Sequence, residues 1–256
     1  MKTLNTAELR KLVRVLRDDS PARCTVIVPA AGTSSRFGKE DKLLADLNGD
    51  TVLHTTLKAL NATPEIDAIV IATREESIPT VRKIAEDIPK VCAVVAGGAT
   101  RTETVRAAFA AVPKETELVA VHDGARPLAT PEMMGKIIRC AQRTQACIPA
   151  MPVRDTIKEV QGDCITRTPD RKLLFAAQTP QVFQKDILGA ALAQNGTFTD
   201  DASAVEALGV CVRVLEGEYE NIKITTQEDL ALARFFSERR AAVCPCVSDT
   251  ATTCTD

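Results

Sequence analysis

The stretch VIVPAAGTSSRFGKEDKLL, residues 26–44, decides how the chain is read. It runs from an apolar segment into Gly32, three hydroxyl residues and the basic side chains Arg36, Lys39 and Lys42. A short apolar run that stops at a glycine predicts a buried strand followed by a turn. Glycine at that point lets backbone approach a ligand, and free N–H groups there bind phosphate. GTSSRFGK is nevertheless not a P-loop. It has one residue too many between Gly32 and Gly38, and Glu40 stands where a magnesium-binding hydroxyl is needed. Nor is it a GxGxxG fingerprint. By itself the segment reads equally well as a strand-to-helix turn with solvated charges.

The surrounding pattern narrows this. CTVIVPA, DAIVIAT, VCAVVAG and ELVAVHDG each read as a short buried strand. TVLHTTLKALNAT, EESIPTVRKIAEDI and RTETVRAAFAAV lie between them with helical spacing, and Pro79 limits the second. Such alternation predicts βαβ units: an α/β fold with a mostly parallel sheet and helices on both faces. Ligands then bind at the carboxyl ends of the strands. The loops at 30–42, 97–104 and 122–127 should therefore share one edge. After about Ala150 the rhythm changes. MPVRDTIKEV, QGD and CITRTPD predict two strands around a polar turn, a protruding arm at about 150–172. Helical patterns return at KDILGAALAQN and DDASAVEALG, and NIKIT reads as a last strand before the helix TQEDLALARFFSERR. We read a helical extension at 1–20, a single domain at 21–240 and a disordered tail at 241–256.

Composition excludes several functions. The chain has 256 residues, enough for one large α/β domain, and a net charge of only −2, so no general field attracts nucleic acid or an acidic membrane. Aromatic residues make up 3% with no Trp, which leaves few stacking platforms for single strands. No apolar run reaches bilayer length. Leu9, Leu12, Val13 and Leu16 predict a short amphipathic helix rather than a targeting segment. The nine cysteines are scattered, as in a protein of a reducing compartment, and the tail CPCVSDTATTC lacks CxxC spacing and histidine partners for zinc.

Four loops of one kind fall on the predicted edge. VHDGARP offers Asp123, Gly124 and Arg126, and Asp123 suits Mg²⁺, which favours carboxylate and phosphate oxygens. His122 reads as a structural histidine. VAGGATRTETV adds Gly97, Gly98, Arg101 and Thr104, and NIKIT adds Lys223. Each alone fits a solvated turn or a surface charge; together they point to phosphate chemistry.

VPAAGTSSRFGKEDK, GGATRTETV, VHDGARP, PVRDTIKEV, QTPQVF, TDDASAVEALG and NIKITTQEDLALA stand in the order found in the 2-C-methyl-D-erythritol 4-phosphate cytidylyltransferase family, which the chain resembles from about Thr25 to Phe236. The resemblance implies a Rossmann-like, glycosyltransferase-A-like nucleotidyltransferase fold and a homodimer with exchanged arms. It implies Mg²⁺-dependent transfer of CMP from CTP to 2-C-methyl-D-erythritol 4-phosphate, with release of pyrophosphate, on the non-mevalonate route to isoprenoid precursors. By matching position, Ala30, Ala31, Gly32, Gly97, Gly98, Arg101, Thr104 and Gly124 would bind the nucleotide, and Asp123 the metal. Arg36, Lys42 and Lys223 would carry the reaction. Arg126, Thr156 and Arg171 would bind substrate, the last two from the opposite subunit. The family loop commonly ends in Pro-Lys; here it is shorter and ends EDK, so Lys42 takes the role with Lys39 as the alternative. A ribitol 5-phosphate cytidylyltransferase and a non-catalytic nucleotide-binding homologue are the competing readings. The resemblance implies a cytoplasmic enzyme, or a stromal one in a plastid-bearing source.

Overall fold

Strand β1 (Cys24–Ala30) lies at the centre of the sheet, and its alternation shows how the two faces are built. The computed structural model describes residues 22–32, 36–38, 41–194 and 198–243; the helical extension predicted at 1–20, Lys39 and the cysteine-rich tail lie outside them. Along the chain follow β2 (Asp46–Leu47), β3 (Asp50–Thr51), α1 (Val52–Asn61), β4 (Ala68–Thr73), α2 (Ile78–Ile84), β5 (Val91–Ala96), α3 (Arg101–Phe109), β6 (Leu118–Val121), α4 (Pro131–Thr144) and β7 (Ala146–Pro152). The hairpin β8 (Glu159–Gln161) and β9 (Cys164–Arg167) comes next. β10 (Phe175–Ala177), β11 (Gln181–Gln184), α5 (Lys185–Leu192), α6 (Asp201–Glu206), β12 (Arg213–Glu216) and α7 (Gln227–Val243) complete the order.

Successive strand residues point to opposite faces. Cys24, Val26 and Val28 of β1, with Ile69, Ile71, Leu118 and Ala120, pack against α1, α2, α4 and α7. Ile27, with Val70, Ala72, Val119 and Val121, packs against α3, α5 and α6. Burying both faces of β1 at about 1.5–3 kcal/mol per large aliphatic side chain explains why its sequence is almost wholly apolar. Helices on both faces and a mostly parallel sheet are what the alternating pattern predicted.

Sheet order is β10-β7-β11-β6-β1-β4-β5, with β12 also on β7. β1 pairs in parallel with β4 on one side and β6 on the other, and β5 continues in parallel beyond β4. The carboxyl ends of β1, β4, β5 and β6 therefore lie on one edge, and β1 is the point where the strand order turns. β11 runs antiparallel between β6 and β7. The polypeptide leaves the sheet after Pro152 and forms β8 and β9, which pair only with each other. It returns through β10, antiparallel to β7. No described helix is long and apolar enough to cross a membrane.

NIKIT is not a strand. Residues 221–225 belong to no ladder; one backbone bond, Ile224 N–H to the Ala125 carbonyl at 2.8 Å, ties them to the β6 loop. Periodicity cannot tell a buried extended loop from a strand, because both bury alternate residues. α4 and β12 were not read from the sequence, although Thr130 caps α4 by accepting from Met133 N–H and Pro131 opens it.

The start of α1 is braced by charge. Asp50 accepts from the Thr51 N–H at 2.7 Å, Lys58 Nζ at 2.7 Å and His54 Nδ1 at 2.6 Å. Burial pushes this carboxyl up, but Lys58, His54 and the Thr51 N–H outweigh it and hold it below its ordinary 3.8. A depressed acid contributes stability that is complete above its unfolded value and fades as pH falls below it. Asp50→Asn is therefore expected to cost about 1 kcal/mol at neutral pH. The difference from wild type should shrink below pH 3.8 in denaturant titrations across pH.

Candidate active site

The loops after β1, β5 and β6 enclose a cleft of about 190 Å³ at the carboxyl edge. Ala30, Ala31 and Gly32 form one wall, Gly98, Thr100, Arg101 and Thr104 another, and Asp123 and Gly124 the floor, with Lys42 and Lys223 reaching in. Ten of the residues singled out in the sequence thus line one cavity: Ala30, Ala31, Gly32, Lys42, Gly98, Arg101, Thr104, Asp123, Gly124 and Lys223.

Glycine at 97 and 98 is a packing requirement. A Cβ on Gly97 would sit 2.9 Å from the Ala31 Cβ, and one on Gly98 would sit 2.3 Å from the Glu103 Cβ. Any side chain would push the β5 loop off the α3 start. That start carries a capping box: Thr100 accepts from Glu103 N–H at 3.1 Å, and the Glu103 carboxylate accepts from Thr100 N–H at 3.0 Å. Thr104 Oγ1 accepts from Gly98 N–H at 3.2 Å and donates back to the Thr100 carbonyl at 2.9 Å. The amino end of α3 is thereby held at the cleft, where its dipole favours an anion.

Charge in the cleft is predominantly positive. Among the described lining residues, Asp123 is the single acid facing Lys42, Arg101 and Lys223. Its Oδ2 accepts from Lys223 Nζ at 3.0 Å and lies 3.4 Å from Arg126 Nε. Burial alone would raise the Asp123 carboxyl, but the charges of Lys223, Arg126 and Arg101 overcome it and hold it at about 2. Burial pushes the Lys42 ammonium down, and the charges of Lys223 and Arg36 push the same way. A cation so crowded gains from an incoming polyanion, which replaces repulsion with pairing. Arg101 is oriented from behind by Asp201, buried, at 2.6 Å. The sequence carried a signal for Asp201 in TDDAS, but that signal had not been tied to the α3 start.

Not every predicted residue reaches the cleft. Arg126 is buried, with Nη1 donating to the Asn221 carbonyl at 2.6 Å. His122 is buried and held neutral at ordinary pH, its ring lowered to about 4 by burial. A carbonyl only accepts, so His122 Nε2–H donates to the Arg126 carbonyl at 3.3 Å and Nδ1 accepts from Thr179 Oγ1–H at 3.1 Å. Thr179 Oγ1 in turn accepts from the Asp123 N–H at 3.1 Å. Gly97 packs behind the wall. Arg36 is exposed, and Thr156 and Arg171 stand exposed on the arm, away from this chain's own cleft. Arg171 Nη1 donates to the Arg154 carbonyl at 2.8 Å, and the Arg154 guanidinium stacks on Tyr219 at 4.2 Å. Thr179, Gln178 and Asn221 were not foreseen as supports of the site; QTPQ and NIKIT were visible as motifs, but not that they meet.

Solved structures share this fold. The 4-diphosphocytidyl-2C-methyl-D-erythritol synthase of Anaerococcus prevotii superposes with a TM-score of 0.76 at 30% identity, over 86% of this chain and 97% of its own. The 2-C-methyl-D-erythritol 4-phosphate cytidylyltransferase of Thermus thermophilus does so at 0.69 and 32%, over 84% and 99%. Fold and cleft together define a nucleotidyltransferase. A curated relative of the same cytidylyltransferase name from Symbiobacterium thermophilum is 42% identical over 226 residues, 86% of this chain and 95% of its own. The model of the IspD family, 2-C-methyl-D-erythritol 4-phosphate cytidylyltransferase, matches residues 24–239, and the chain belongs to that family.

Proposed function

We propose that the chain transfers CMP from CTP to 2-C-methyl-D-erythritol 4-phosphate, giving 4-diphosphocytidyl-2-C-methyl-D-erythritol and pyrophosphate. The observation that carries this reading is the meeting of Lys42, Lys223, Arg101 and the α3 amino end around one ionised acid, in a chain of this family.

The nucleophile is a phosphate monoester oxygen, already anionic near neutral pH, so the site needs no strong base. It attacks the α-phosphorus of CTP; the bond from that phosphorus to the bridging oxygen breaks, and the electron pair leaves on pyrophosphate. The difficulty is bringing one anion onto another, and fixed positive charge answers it. Arg36 and Lys42 neutralise the triphosphate and the departing pyrophosphate. Lys223 stabilises charge gathering on the α-phosphate. Ala30 to Gly32, with Gly98, Thr104 and Gly124, give the nucleotide a close backbone wall, and Gly97 packs behind it. Thr156 and Arg171 hold the attacking phosphate, and Arg126 keeps Asp123 turned towards the cleft.

Among the described residues no group of three or more His, Cys, Asp or Glu side chains could hold a metal. One ionised carboxylate on the cleft floor still fits Mg²⁺, which binds through one or two carboxylates plus substrate phosphates. Asp123 would hold it. When bound, the ion would neutralise phosphate charge and orient the triphosphate.

The arm supports a homodimer with exchanged sites. Val160 and Ile165 on the hairpin, and Leu173 and Phe175 where the chain returns to the sheet, are more than half exposed, and an isolated hairpin is marginal in water. A second copy would cover these residues and receive Thr156 and Arg171. Free thiols at all described cysteines fit a reducing space such as the cytoplasm.

Release of pyrophosphate, followed with CTP and either methylerythritol phosphate or ribitol 5-phosphate, tests the function. Turnover is expected with the first alone; preference for ribitol 5-phosphate, or no turnover with either, would overturn the reading. Lys42→Ala should both weaken CTP binding and slow turnover, each by about 10-fold or more, because the triphosphate is charged before and during reaction. Lys39→Ala is the control and should remain near wild type. An inactive Lys39→Ala beside a normal Lys42→Ala would exchange their roles.

A further inference from the structure

We propose that Asn221 is a positioning residue for Lys223, the anchor that sets where the ammonium stands relative to Asp123. The assignment rests on the function proposed above, in which Lys223 acts on the α-phosphate.

Lys223 needs an anchor because no strand supplies one. Residues 221–225 join no ladder, and the lysine side chain is 41% exposed. A long flexible ammonium on such a segment would wander unless the backbone beneath it were held. Ile224, fully buried and bonded to the Ala125 carbonyl at 2.8 Å, fixes one side of Lys223. Asn221 fixes the other. It is 0% exposed, and its side chain and main chain bond to two separate parts of the chain. Nδ2 donates to the Thr179 carbonyl at 3.0 Å and to Gln178 Oε1 at 3.3 Å. Its carbonyl accepts from Arg126 Nη1 at 2.6 Å.

Both connections lead to the acid that pairs with Lys223. Through Arg126, Asn221 is one side chain from Asp123 Oδ2, at 3.4 Å. Through Thr179 it is one residue from the Asp123 N–H, at 3.1 Å. The Lys223–Asp123 distance of 3.0 Å is therefore the closing link of a loop of contacts that runs through Asn221. Gln178 extends the frame: its Nε2 donates to the Glu218 carbonyl at 2.8 Å and its Oε1 accepts from the Glu218 N–H at 3.2 Å, steadying the approach to Asn221.

The amide is a poor choice for stability alone. Its Oδ1 is buried and has no hydrogen-bond partner among the described residues. A half-satisfied buried amide costs free energy that an apolar residue of its size would not. What the amide supplies is direction, two donor bonds that an apolar side chain cannot make.

The test is a double-mutant cycle with steady-state kinetics. Asn221→Ala is expected to lower kcat by about 10–10²-fold, the scale of a misplaced reacting group, with KM for CTP within about twofold of wild type. Asn221→Ser keeps one donor for the Thr179 carbonyl and should show a smaller loss of the same kind; it carries the test if the alanine variant does not fold. In a Lys223→Ala background the same substitutions should have almost no further effect, because the group they position is gone. An unchanged kcat would overturn the assignment. So would a loss as large without Lys223 as with it, which would mark Asn221 as a support of the whole fold. Failure of the underlying function reads differently: wild type makes no pyrophosphate, or Lys223→Ala is fully active. Either result removes the role that Asn221 is proposed to serve.

Discussion

Replacing Lys223 by alanine is expected to lower turnover by about 10²–10³-fold while CTP binding changes little, the scale set by losing one transition-state electrostatic contact. The asymmetry has a structural cause. In the free site the Lys223 charge is already engaged, 3.0 Å from Asp123 Oδ2, so part of what it could give the ground-state nucleotide is spent on that ion pair. Negative charge builds on the α-phosphate only as the new bond forms, and there an oriented ammonium gains most. Arg101, Lys42 and the α3 amino end remain to hold the triphosphate. Single-turnover rates and equilibrium CTP titration on the same preparation separate the two effects. Turnover near wild type would remove Lys223 from the chemistry, and a loss confined to CTP affinity would make it a simple triphosphate contact.

Mixing two inactive proteins, Arg171→Ala and Lys223→Ala, should restore activity once subunits exchange. In the proposed dimer each site takes Lys223 from one chain and Arg171 from the other. A mixed dimer then has one site with both residues intact and one with neither. Random exchange makes about half of the dimers mixed, and half of their sites work, so about a quarter of wild-type activity should return. The placement of Arg171 motivates the test. It is exposed, its guanidinium donates to the Arg154 carbonyl of its own arm, and it lies outside its own chain's cleft. Arg154 stacked on Tyr219 gives the arm base a fixed support, so the arm can present Arg171 at a defined angle. No recovery in a sample shown to contain heterodimers would mean that each chain completes its own site.

Much of this architecture was legible locally. Runs such as CTVIVPA and DAIVIAT, apolar on both faces and alternating with helical segments, fit a parallel sheet, and the loops that follow them then share its carboxyl edge. Gly32, Gly98, Asp123 and Lys42 could be assigned to one edge for that reason alone, and the structure places all four on one cleft. Other features were not legible. NIKIT has the alternation of a strand, yet it is an extended loop, since strand identity depends on a neighbour and none lies beside it. The resemblance implied a substrate contact for Arg126; in the fold its guanidinium is buried and donates to the Asn221 carbonyl.

The βαβ rhythm, the position of the binding edge and the residue types available there follow from the sequence by itself, because periodicity and chain direction are local properties. The tertiary structure alone decided which charges meet. Lys223 pairs with Asp123, Arg101 with Asp201, and Asn221 is buried against Thr179 and Arg126. Those partners lie from about forty to one hundred residues apart, and no period or spacing encodes them. They are set by how helices pack on the two faces and by which buried polar groups must find a donor or acceptor once water is excluded.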